Sequence, residues 1–362
     1  MRMFAIRLHK RGLVNGILGS LSLAVLVLLG SRRLLYFDAA LMPYLFATLF
    51  AVMGVVYRYT VWLDRPPTRR LWKRSLRDLT DRSFFSHLAG IFKVFFQQVV
   101  LQRFVGRRSY YRWAMHFSLA WGTIVAFAVT FPLVFGWLHF ESAPGQPGMY
   151  QLFTFGFPQF VLDPKGLFAF FFFNALNFCS LAVILGTILA FTRRILHPDQ
   201  VASQTFAEDM LPLLILFSVA VTGLFLTYSA RFLGGAHFRV LSTLHCFTVV
   251  VFLVYLPFGK FFHIFQRGAQ MGAAVYMREK VSGNTVRCVQ CEEPYTSKFQ
   301  HEDVTAALKE IGFQYQSATG ATAIQDLCPR CRRRLFMWRQ HQQLNGQFDL
   351  EHPKISGKTD DR

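Results

Sequence analysis

The amino-acid sequence predicts an all-α polytopic membrane protein in which six transmembrane helices precede a small polar tail domain. Two observations predict the helices. The 362 residues are 53% hydrophobic with 41 Phe and a mean hydropathy of +0.31, and several apolar runs exceed the roughly 18 residues that a spanning helix needs. A third observation separates the tail. From residue 265 onward the chain carries 14 basic and 11 acidic residues, a near balance that the basic remainder of the chain does not share.

The spans fall at about 13–35, 40–63, 113–138, 167–192, 209–230 and 239–264, each close to the ~20 residues that cross a bilayer. Ahead of the first, MRMFAIRLHKRG has the charge order of a signal peptide, but no small-residue cleavage site follows and SRR closes the run. An uncleaved signal anchor is expected. After the second span comes DRPPTRRLWKRSLRDLTDRS, then a stretch with Leu88, Ile91, Phe92, Phe95 and Val99 on one helical face, suited to lying along the membrane interface. Residues 64–112 hold 12 Lys and Arg, against Lys165 alone in 139–166. The basic segment therefore belongs on the cytoplasmic side, and six spans put both termini there too, in a cytoplasmic (inner) membrane. Arg32 and Arg33, at the outer end of the first span, run against this rule. The 139–166 loop, with ESAPGQPG and FGFPQF, is expected outside and partly against the membrane. A net charge of +19 does not imply nucleic acid, because most of the excess flanks apolar runs, where it sets topology and meets anionic lipid.

The last span, LHCFTVVVFLVYLPFGKFFH over 244–263, contains His245 and His263. On one continuous helix 18 residues make five turns, so both imidazoles would share a face about 27 Å apart. An intramembrane histidine is costly and a functional candidate, and neutral imidazole is a common ligand of haem iron; the plain alternative is a histidine satisfied by a neighbouring hydroxyl or carbonyl. Pro257 removes a backbone donor, leaves the Leu253 carbonyl unpaired and is expected to kink the helix, aiming His263 inward, with Lys260 near a haem propionate. His116, in RRSYYRWAMHFSLAWG just inside the third span, lies at the depth of His263. Those two are the candidate axial pair for haem b.

The segments RWAMHFSLAWG and HCFTVVVFLVYLPFGKFFHI resemble the cytochrome b membrane (gamma) subunit of respiratory nitrate reductase, and related membrane subunits of heterodisulfide-reductase-like and dissimilatory sulfite-reduction complexes, over about residues 110–268. The resemblance implies a haem-binding bundle that oxidises menaquinol or ubiquinol and exchanges electrons with a cytoplasmic iron–sulfur or reductase subunit. It implies that His116 and His263 ligate the inner haem and that His245 is one ligand of an outer haem. The family has a further histidine ten residues after the one matching His116, where this chain has Ala126. His139 overshoots His245 by roughly 8 Å on helix geometry, and His237 is too near His245 in the chain to face it across a ring. Without an outer haem, His245 suits hydrogen bonding to a quinol and accepting its proton.

In the tail, Cys288 and Cys291 (CVQC) and Cys328 and Cys331 (CPRC) form paired C-x2-C motifs that can close one tetrahedral four-thiolate site. The residues leave two metals open, a structural zinc and a rubredoxin-like iron. Glu292 and Arg332 follow the pairs, and Arg332 to Arg334 are expected to offset thiolate charge or to bind acidic lipid or a partner. DVTAALKEIG reads as a short helix ending at Gly312, and EHPKISGKTDDR as disordered.

The sequence thus divides into an N-terminal hairpin with its basic and interfacial segments (1–109), the cytochrome-like bundle (110–268), a cytoplasmic metal-binding domain (269–345) and a flexible tail (346–362). No hydrolase triad or phosphate loop is present, and no side chain is expected to act as a nucleophile. The expected role is electron transfer between the quinone pool and a cytoplasmic redox partner. The competing class is a haem-free transporter or scaffold with a zinc-ribbon docking domain, against which stands the scarcity of acidic residues in the spans.

Overall fold

The computed structural model of the chain describes residues 8–79, 84–196, 204–269, 272, 285–313 and 323–344; the expected disorder after 346 lies outside them. The chain forms two compact units, Met1–Val61 with Phe96–Gln266 and Trp62–Phe95 with Arg267–Arg362, which cut across the order of domains along the sequence.

Among the described residues, six helices are long and apolar enough to span a membrane. The first unit opens with α1 (Lys10–Gly30) and α2 (Met42–Leu63). Gly16 on α1 sits so close to α2 that an added Cβ would lie 2.8 Å from the Met53 carbonyl oxygen, and Ala47, Ala51 and Val55 recur every fourth residue on the buried side of α2. Small residues at that spacing let membrane helices approach closely. The second unit begins within the next segment, with α3 (Pro66–Leu79) and α4 (Phe84–Phe95). Returning to the first unit, a π-helical turn over Phe96–Val100 and α5 (Arg103–Gly106) lead into α6 (Tyr110–Val134).

Beyond α6 the 139–166 loop is ordered as an antiparallel sheet, β1 (Leu138–Ser142), β2 (Tyr150–Thr154) and β3 (Phe157–Leu162), paired in the order β1-β2-β3. Its β2–β3 turn answers the anomaly of Arg32, whose guanidinium donates to the Gly156 carbonyl at 2.5 Å. Arg32, Arg33 and Leu34 all have left-handed φ values of 50, 58 and 67°, a conformation that costs roughly 1–2 kcal/mol per non-glycine residue. Hydrogen bonds from Arg33 N to Leu28 O and from Leu34 N to Ser31 Oγ hold the turn.

The fourth span is shifted from its expected place. A short α7 (Leu167–Phe173) stops at Asn174 and the long helix is α8 (Ala175–Leu196). The break is held by Asn174, which donates to Phe170 O and accepts from Arg231 and Asn177. Next come α9 (Leu211–Phe232), entered through a π turn at Phe206–Met210, and α10 (Phe238–Tyr255). Glycines again set the spacing: a Cβ on Gly122 of α6 would meet Val183 and the Cys179 carbonyl of α8.

The last span is broken, not kinked. α10 ends at Tyr255, a turn follows, Lys260–Phe262 form a 3-10 turn, and a helix resumes over 263–269. His245 and His263 therefore do not share a continuous helix, and the expected common face is lost. Three features stabilise the break. Pro257 is fully buried and lacks the amide donor that would continue the helix. Gly259 lies where a Cβ would strike the Tyr255 ring. Arg58 of α2 donates to the carbonyls of Pro257, Phe258 and Gly259 at 2.7, 2.9 and 3.3 Å, supplying the partners that a helix end lacks, while its guanidinium lies 4.3 Å from the Phe262 ring centre.

The second unit packs α3 against α11 (Lys298–Glu310). Arg69 and Arg70 pair with Glu310, Arg74 pairs with Asp303 at 3.4 Å, and the Arg74 guanidinium sits over the Phe299 ring. Three arginines of the basic segment thus meet the tail's own acids. α11 closes as expected: Gly312 has φ +74°, Phe313 N donates to Leu308 O and Gly312 N to Lys309 O, the paired bonds of a Schellman cap. A two-stranded ribbon, β4 (Thr285–Arg287) with β5 (Pro294–Ser297), and α12 (Pro329–Leu344) complete the unit.

Candidate functional site

His116 and His263, read from the sequence as a pair, come together: their ring centroids are 6.4 Å apart with an interplanar angle of 63°. The local sequence builds each side. On the first, Trp113 donates to Leu101 O and Trp121 to Val100 O, so two indoles of α6 fasten the segment ahead of α5. That fastening places Gln102, 4% exposed and in the left-handed region, with Oε1 2.7 Å from His116 Nδ1. On the other side His263 Nδ1 lies 2.5 Å from the Lys260 carbonyl, which can only accept. Each ring therefore donates from Nδ1, which leaves the lone pair on Nε2. A metal ion bound about 2 Å from each of two imidazole nitrogens sets the ring centres on the order of 6 Å apart. The centroid separation of the pair is of that order.

Lys260 is engaged elsewhere. Its ammonium is 2.6 Å from Asp209 Oδ1, which also meets Arg194 at 3.2 Å, an ion pair across the helix ends.

His245 lies apart, on the wall of a cavity of about 350 Å³ among α2, α6, α8, α9 and α10. The walls are mostly apolar, with Asn177, Ser180 and Thr227 adding polar groups. Thr222 Oγ1 donates to Ser218 O at 2.7 Å and so accepts from His245 Nδ1 at 2.9 Å. Ala126 lines the same cavity, and among the described residues His245 is the one imidazole on its wall. The two histidines set aside on sequence grounds lie off that wall: His139 sits on β1, stacked between Tyr36 and Phe153 at 3.9 and 5.2 Å, and His237 is the N-cap of α10 with φ +62°. Asn177 connects outward, accepting from Thr227 and donating to Asn174, which binds Arg231.

In the second unit the four cysteines converge. The sulfurs of Cys288, Cys291, Cys328 and Cys331 all lie within 4.8 Å of one another, and Cys291 and Cys328 are 3.7 Å apart, a cluster that could hold a metal ion. CVQC turns between β4 and β5 with Glu292 at φ +57°, and CPRC starts α12. The thiols are electrostatically unlike. Burial raises the Cys288 thiol, but the amides of Cys328, Cys291 and Gln290 outweigh it and bring the group down to about 7; burial and the neighbouring sulfurs push Cys331 up. Leu327, Leu335, Tyr295 and Trp338 pack around the cluster. Arg332, expected to offset thiolate charge or to bind acidic lipid or a partner, donates to Ile324 O and to Leu327 O, the carbonyl just before Cys328.

Sequence reading missed two residues that shape the histidine pair. Gln102 was hidden because its contact depends on a left-handed residue after a π turn, and Arg58 because a lone arginine near the end of a span reads as a topology signal. Searched against protein-family models, curated proteins and solved structures, the chain matches none.

Proposed function

We propose that this protein is a membrane cytochrome b that moves electrons between the quinone pool and a redox partner, an iron–sulfur or reductase subunit, on the cytoplasmic side. The observation that carries the reading is the His116–His263 pair, with centroids 6.4 Å apart and both Nδ1 protons committed to acceptors. Those residues would hold haem b through their Nε2 atoms. The haem supplies one-electron chemistry; the chain's part is to orient both ligands, through Gln102 on one side and the Arg58-supported turn on the other.

The cavity beside His245 supports a quinol site better than a second bis-histidine haem, since Ala126 stands where a second ligand would be required. His245 donates to Thr222 from Nδ1, and its Nε2 is the atom suited to accept a quinol proton. The four-thiolate cluster suits zinc in a structural role, tying β4–β5 to α12 in a unit whose apolar core is small; iron is the alternative metal.

A dithionite-reduced minus oxidised spectrum of the purified full-length protein tests the central reading. The expected result is a b-type difference spectrum at one haem per chain, abolished in His116→Ala and His263→Ala. A wild-type protein without that spectrum would sink the cytochrome reading and favour the haem-free scaffold with a zinc-ribbon domain, whose support is the cysteine cluster.

A further inference from the structure

We infer that Gln102 is a positioning residue that fixes the tautomer of His116 and sets the potential of the haem the two histidines would hold; the inference rests on the cytochrome reading. Gln102 is an unusual residue in its place. It is almost fully buried, 4% exposed, and adopts φ 50°, a region that non-glycine residues seldom visit. Its position is fixed from outside: the carbonyls of Val100 and Leu101, immediately before it, accept from the indoles of Trp121 and Trp113. The effect of that arrangement is to hold one amide oxygen 2.7 Å from His116 Nδ1.

The chemistry follows from the acceptor. A histidine that ligates through Nε2 must carry its proton on Nδ1, and the group receiving that proton governs ring orientation and basicity. An amide turned the other way would present NH2 to Nδ1 and force the proton onto Nε2, blocking the ligand atom. The two sides of the site also differ. His263 uses a backbone carbonyl, which no substitution can alter, whereas His116 uses a side chain whose charge is open to choice. A neutral amide donates less electron density through the ring than a carboxylate would. Gln102 therefore keeps the iron easier to reduce than a glutamate at the same place.

The test uses purified full-length protein as wild type, Gln102→Glu and Gln102→Leu, with redox titration of the b-type band and haem transfer to a competing apoprotein as readouts. Gln102→Glu is expected to retain haem and lower the midpoint potential, by about 59 mV for each tenfold stabilisation of the ferric over the ferrous state. Gln102→Leu is expected to release haem about 10–100-fold more readily. An unshifted potential in Gln102→Glu overturns the inference while leaving the cytochrome reading intact, and it decides alone if the leucine variant does not accumulate. A wild type without haem overturns both.

Discussion

At the scale of single residues, Gly54 is a position where a rigid neighbour leaves no room for a side chain. A Cβ there would lie 2.8 Å from both Cβ and Cγ of Pro257, a rigid ring that has no rotamer to retreat to. Gly54→Ala should gain about 1 kcal/mol in helix propensity and lose about 1–3 kcal/mol to overpacking. The second effect is expected to win, and because Pro257 anchors the turn before His263, the variant should show a lower Tm in detergent together with weaker haem retention. An unchanged Tm would mean that α2 and the turn are not locked together as described. His245 offers the complementary case, a residue apart from the His116–His263 pair. His245→Leu should leave the b-type spectrum intact while slowing reduction of the haem by added quinol roughly 10²–10⁴-fold, the usual worth of a positioned general base. Equal rates in the two proteins would remove the quinol from that cavity.

At the scale of elements, what could be read from sequence depended on how local the cause was. The Schellman end of α11 was legible because Gly312 and the polar run after it act within one turn. The four cysteines were legible as a set because their spacing alone brings each pair together. The break in the last span was half legible: Pro257 announces a distortion, but whether the chain kinks or stops depends on Arg58, 199 positions away from Pro257, and on the space Gly259 leaves for Tyr255. The outer sheet was missed because LHFES, YQLFT and FPQFVL are short and aromatic-rich, and their pairing is set by turns and not by hydropathy.

Two predictions belong to elements. Removing metal from the full-length protein with a chelator, or replacing Cys328 with Ser, should abolish protease resistance across 285–344 while the haem spectrum persists, because the cluster is most of that unit's core. Elemental analysis of the untreated protein should return one zinc per chain; iron would make the cluster a redox centre. The α3–α11 contact carries a pH dependence. Arg69 and Arg70 hold the Glu310 carboxyl below its ordinary value, so the contact is at full strength above the ordinary glutamate range, about pH 4.3, and is lost as pH falls through the lowered value. The protection of the α11 amides, taken relative to their intrinsic exchange at each pH, should be flat from neutral to mildly acid pH at low salt and should fall when salt screens the pairs.

At the scale of the whole molecule, hydropathy was sufficient for the six spans because a bilayer leaves a helix little choice but to satisfy its own backbone. The positive-inside count gives an expected orientation, and one contact bears on which segments share a side. Arg74 of the segment after the second span pairs with Asp303 of the tail, which requires both segments on one side of the membrane. Four spans separate them, an even number, as that requires. The β1–β3 sheet is one span removed from the basic segment, so the span count predicts the opposite side for it. Gln146, in the β1–β2 turn, and Gln343, exposed near the end of α12, report the two sides. In intact cells or right-side-out vesicles, a membrane-impermeant maleimide should add label above the native cysteine background to Gln146→Cys without permeabilisation, and to Gln343→Cys only after it. Labelling of both from the same side would contradict either the span count or the pairing of the basic segment with the tail, and the reverse pattern would invert the orientation and place the redox partner outside.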